Sequence, residues 1–134
     1  MRKVFLAAAL AAAALFAVMP AFAQTAPTCI TGTAGVAPTA TLSFTAPTTN
    51  TDGTAIAAPV TYEVFEGSAS GKETLAAKGL AGSPITVNTG LTDGTTAYFY
   101  VVVVDANGNP SAQSNEVCKA FPAGVPKSVT ITIT

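Results

Sequence analysis

Catalytic chemistry has few parts to work with in this chain. Its 134 residues include no histidine and two cysteines, Cys29 and Cys118, so the familiar nucleophile–base pairs built on imidazole or a free thiol are not available. Glu63 and Glu66 stand three apart in a stretch that reads as a strand, which turns them to opposite faces rather than into a facing carboxylate pair. Two cysteines without histidine also fall short of the four ligands of a structural zinc site. Asp105-Ala106-Asn107-Gly108-Asn109 starts like a calcium loop and has Glu116 at its twelfth position. Pro110, however, takes the sixth position, where such a loop needs glycine, and strands rather than helices flank it. Turn chemistry accounts for these residues without an ion. The expectation is a protein that is not an enzyme, with no cofactor and no metal.

The ends of the chain carry their own signals. Arg2 and Lys3 precede an apolar run over residues 4–18, Pro20 follows, and Ala21-Phe22-Ala23 places small residues before Gln24. This pattern predicts a secretory signal over residues 1–23, removed on export. Its fifteen apolar residues are fewer than the ~20 that span a bilayer, so no membrane span is expected after cleavage. The remaining 111 residues hold four lysines and seven carboxylates, a net charge of −3. Such a surface offers no footprint for nucleic acid and no polybasic patch for anionic lipid. The expected location is outside the cytoplasm: periplasmic, secreted or at the cell surface. In an oxidising compartment an even pair of cysteines most simply forms one disulfide, here Cys29–Cys118, the alternative being two buried thiols. Closing a loop of that length stabilises a fold by about 4 kcal/mol.

These residues must be positioned by β-structure. Strand-like runs recur over residues 28–33, 39–45, 60–65, 74–77, 84–88, 97–104 and 115–121, separated by Gly, Pro, Asn and Asp. The clearest is 39–45, where Ala40, Leu42 and Phe44 alternate with Thr39, Thr41, Ser43 and Thr45. Such alternation belongs to a strand buried on one face. Seven short strands with no helical period predict an all-β antiparallel sandwich.

Within this frame the chain resembles a fibronectin type III domain of the kind found in bacterial and phage surface proteins. The matching stretches are Ala40-Thr41-Leu42-Ser43-Phe44-Thr45-Ala46-Pro47, Asp52-Gly53-Thr54, Tyr62-Glu63-Val64-Phe65, Gly90-Leu91-Thr92-Asp93-Gly94-Thr95-Thr96, Val103-Val104-Asp105-Ala106-Asn107-Gly108-Asn109 and Ser114-Asn115-Glu116-Val117. The resemblance implies a seven-stranded immunoglobulin-like sandwich over residues 37–121. An N-terminal segment, 24–36, would carry the first strand, and a C-terminal extension, 122–134, an extra one. Two positions depart from the family. Phe44 stands where tryptophan is usual, and Ala97 where a corner tyrosine belongs, with Tyr98 one residue later. Either the corner is missing or a bulge lets Tyr98 serve.

The family register turns Ala97, Phe99, Val101 and Val103 inward, with Tyr62 and Val64, and sends Phe65, Tyr98 and Tyr100 to the outer face. That aromatic group is the first candidate binding surface, the plainer alternative being ordinary cross-strand pairs. The second is the loop end holding Asn50, Asp52, Asp105, Asn107 and Asn109. The third is the tail: residues 127–134 alternate Val129, Ile131 and Ile133 with threonines, as a strand seeking a sheet edge does. The edge could belong to the same domain, the simpler reading, or to another subunit, giving a homo-oligomer. The functional expectation is a binding or adhesion module acting through protein or glycan contacts. The alternative is a structural subunit of an extracellular or virion-like assembly joined through the tail strand.

Overall fold

A computed structural model describes residues 26–124. The expected signal sequence and the tail strand with Val129, Ile131 and Ile133 lie outside the described residues. The described residues form seven strands: β1 (Ile30–Thr31), β2 (Ala40–Leu42), β3 (Thr61–Gly67), β4 (Thr74–Leu80), β5 (Ile85–Val87), β6 (Thr95–Val104) and β7 (Val117–Phe121). They form a larger sheet of order β1-β7-β6-β3-β4 and a smaller one of order β2-β5. This is the two-layer, immunoglobulin-like sandwich that the resemblance implied.

Alternation builds the core. Ala40 and Leu42 from β2 and Ile85 and Val87 from β5 meet Tyr62 and Val64 from β3, Ala97 and Phe99 from β6, and Phe121 from β7. Phe44, in the place of a larger anchor, packs on this cluster and lies 4.8 Å, ring to ring, from Tyr62. Pairing of β6 is unbroken from Thr95↔Phe121 to Phe99↔Val117 and from Gly67↔Tyr98 to Thr61↔Val104. With no bulge to rotate it, Tyr98 faces away from the core and Ala97 into it, so the corner tyrosine is missing. Leu91 still packs against the core.

Several strand bounds differ from the sequence pattern, each for a local reason. The run at 115–121 begins as a strand only at Val117, because serine hydroxyls replace the ladder along the upper part of β6. Val101 and Val103 donate their N–H groups to Ser114 Oγ and Ser111 Oγ, both at 3.0 Å. The weak run at 74–77 extends to Leu80, which pairs with Tyr62 across register shifts in β3. Gly79, at φ 71°, supplies a backbone shape there that other residues resist.

The largest change concerns the first strand. The expected run 28–33 shrinks to Ile30–Thr31, and it pairs in parallel with β7 (Ile30↔Lys119, Thr31↔Ala120). The Cys29–Cys118 disulfide is formed, with Cα atoms 4.6 Å apart. It pins the segment to β7 one residue before the ladder begins. The chain therefore adds to the larger sheet and leaves the far edge of β2 without a partner among the described residues.

Candidate functional site

The predicted loop end is assembled as a single surface. Ala106 donates its N–H to Ala57 O at 3.0 Å, which holds the loop carrying Asn50 and Asp52 against the turn carrying Asp105, Asn107 and Asn109. Each half nevertheless satisfies itself. Asp52 Oδ1 accepts from the Thr54 hydroxyl at 2.6 Å and the Thr54 N–H at 2.9 Å, and Asn50 Nδ2 donates to Thr54 Oγ1 and Ala55 O. Asp105 Oδ1 accepts from the N–H groups of Asn107 and Asn109 at 2.9 and 2.8 Å, while Oδ2 accepts from Asn109 Nδ2 at 3.0 Å. The Thr54 hydroxyl lowers the Asp52 carboxyl below its ordinary value, and the Asn109 N–H does the same for Asp105. These acceptors are engaged in shaping their own turns.

The outer face of the larger sheet carries the predicted aromatics. Phe65 lies opposite Tyr100 in the ladder, and the two rings stack with centroids 4.6 Å apart and planes 13° from parallel. Tyr98 lies opposite Gly67. All three side chains are half-buried. Part of the reason is the turn between β3 and β4, which reaches across β6 to the start of β7. There Glu116 Oε2 accepts from Ser70 Oγ at 3.1 Å and from Gly71 N–H at 3.3 Å. The turn leaves β3 so tightly that a Cβ on Gly67 would stand 2.8 Å from Lys72 O. Partial burial, with Glu73 nearby, pushes the Tyr100 phenol above its ordinary value.

A third feature escaped the sequence reading. Between β2 and the β7–β1 side of the larger sheet runs an open groove of about 820 Å³. Leu42 and Phe44 line one wall, Phe99 and Val101 the floor, and Val117 and Ile30 the far side. Ile30 is 66% and Val117 41% exposed, although Val117 is paired opposite the core residue Phe99 and so shares its inward face. Apolar side chains turned toward an interior yet open to solvent mark a surface that lacks a cover among the described residues. At the lower end Lys119 Nζ donates to Thr39 O at 2.7 Å and bridges the two sheets. The upper end, between Pro47 and Ser111, has no such bridge among the described residues.

The groove is bounded by a usable backbone edge. Phe44 donates its N–H to Ser83 Oγ on the β5 side at 2.9 Å. Alternation then turns the N–H groups of Thr41 and Ser43 to the free side of β2. From Thr39 to Ala46 that edge bears no proline and no charge, the usual devices that keep an edge from pairing. The larger sheet is better guarded, since β1 has two residues and β4 is irregular against β3. The signal for the groove lay in Cys29, whose bond commits the first strand to β7, but a cysteine count does not say on which sheet the partner lies.

Comparison with known proteins adds a neighbour rather than a family. No family profile matches the chain, and no curated protein matches it. Among solved structures it is similar to an Fn3-like protein from Clostridium thermocellum, at 28% identity over 73% of this chain and 96% of that one, with a TM-score of 0.49. The fold assignment rests on the two sheets described above.

Proposed function

We propose that this chain is an exported, non-catalytic module that works by protein contact, accepting an extended polypeptide on the free edge of β2 over the open groove. One observation carries the reading: Ile30 and Val117 are exposed within a face that elsewhere forms the core, directly beside the edge of β2 that has no partner among the described residues. Strand addition suits such a place, because backbone hydrogen bonds supply affinity and alternate side chains fill the pockets. Both cysteines are consumed in the disulfide and the sequence has no histidine, which supports a non-catalytic role. The signal-like N-terminal residues and the disulfide support export.

Selection of displayed peptides on the immobilised protein tests the reading, with counter-selection on Val117→Asp. Enrichment of peptides with apolar residues at every second position, lost on the variant, is the expected result. Failure to recover any peptide that distinguishes the two proteins would overturn it.

A second reading follows from the Phe65–Tyr100 stack, whose flat rings suit a glycan or protein contact on the outer face. It predicts a ligand whose binding is lost in Phe65→Ala and unchanged in Val117→Asp.

A further inference from the structure

The chain itself contains a segment with the chemistry the groove requires. Residues 127–134 place Val129, Ile131 and Ile133 at every second position, with Thr130, Thr132 and Thr134 between them. This repeats the pattern of β2 and the residues that follow it, where Ala40 and Leu42 are buried and Phe44 packs on the core while Thr41, Ser43 and Thr45 are exposed. Laid beside β2, such a segment would turn its three apolar side chains onto Ile30 and Val117 and its threonines outward. Eight residues in extended form reach roughly 26 Å, more than the three-residue β2 needs.

The path of the chain decides whose tail fits. Phe121 ends β7 at the lower end, where its O accepts from Gly94 N–H at 2.6 Å. Ala123 lies close by, 3.7 Å from where a Cβ on Gly94 would stand. A chain's own tail therefore sets out beside the end that Lys119 and Thr39 bridge. It would also have to pass the connection from β1 to β2, over residues 32–39. Running upward from there, it would lie parallel to β2, which itself runs upward from Thr39 toward Phe44 beside Tyr62. A tail from another molecule meets neither obstacle. It can come in at the open end between Pro47 and Ser111 and run antiparallel to β2, the pairing that is slightly more stable per residue.

Resting on the reading of the groove as a protein-contact site, we propose that its occupant is residues 127–134 of a second copy of this chain, added antiparallel to β2. The protein then self-associates through a donated strand, and the disulfide makes the acceptor by holding β1 on the other sheet. Such a contact is head-to-tail, so it closes into a ring or extends as a chain of subunits according to the angle between copies.

Light scattering on the mature chain, with Ile131→Asp and Val117→Asp, tests this. The expected result is a concentration-dependent oligomer that either substitution reduces to monomer, since one alters the donor and the other the acceptor. A synthetic peptide of residues 125–134 should dissociate the wild-type oligomer and bind Ile131→Asp but not Val117→Asp. A wild-type chain that stays monomeric overturns the proposal, including the case in which its own tail fills the groove. So does an oligomer indifferent to both substitutions. If the tail peptide fails while unrelated alternating peptides still bind at Val117, the tail assignment falls and the contact reading survives. If neither binds, both fall.

Discussion

Tyr62, Val64 and Phe99 are 2%, 0% and 1% exposed, whereas one strand further along the same sheet Val117 is open to water, and Ile30 beyond it more so. All five belong to the larger sheet, and Val117 shares its face with Phe99. What separates the two flanks is the layer opposite. β2 and β5 cover β3, β6 and the Phe121 end of β7, and among the described residues no strand covers β1 and the Val117 end of β7. The disulfide therefore has two effects on one molecule. It stabilises the sandwich by closing a loop of 89 residues, and it keeps the first strand from completing the smaller sheet.

The sharpest way to break this contrast is to shorten one side chain on each flank. Phe99→Ala should lower folding stability by about 3–5 kcal/mol, because a closed core cannot collapse around the void. Val117→Ala should cost less than about 1 kcal/mol, since the side chain already meets solvent. Urea unfolding of the monomeric Ile131→Asp background reads both. Equal losses would mean that the groove is closed in solution. Replacing Cys29 and Cys118 together with serine should cost about 4 kcal/mol by the same measurement. It should also free β1 from β7, seen as faster amide exchange at Gly32, whose N–H donates to Ala120 O at 2.8 Å.

Two smaller effects sharpen the picture away from the groove. Phe65→Ala removes the stack with Tyr100 and should cost about 1 kcal/mol beyond the lost burial, without altering self-association. Asp105 holds its proton less tightly in the folded chain than its ordinary value of 3.8. Its contribution to stability is therefore complete above that value and disappears as pH falls through the lower folded value. The urea midpoint should drop between pH 5 and pH 2, and drop less in Asp105→Asn. An unchanged profile in the variant would show that the Asp105 turn adds nothing.

Much of the fold was legible because alternation is local. Ala40, Leu42 and Phe44 announced their face, and Asp105 through Pro110 announced their turn. The direction of Ala97–Val104 could not be read from alternation, since both faces are apolar; the family register supplied it, and the ladders of β6 with β3 and β7 carry it. The groove was not legible, because it arises from what fails to pair. Residues 115–121 read as a strand holding Cys118, but whether residues 28–33 lie beside β2 or β7 depends on the side of that strand on which Cys29 bonds, which is not a local property. The outer aromatics were placed correctly on one face. Their partial cover by the β3–β4 turn depends on Glu116, distant in sequence from Ser70 and Gly71.

The claim on which the rest depends is that β2 presents an edge that a neighbour's strand completes. Amide exchange at Thr41 and Ser43, followed residue by residue in the wild-type chain and in Ile131→Asp, addresses it directly. Slow exchange at both amides in the wild type, becoming fast in the variant and slow again when the peptide of residues 125–134 is added, is the predicted result. Fast exchange at these amides in every sample, or slow exchange that ignores the substitution, would contradict it.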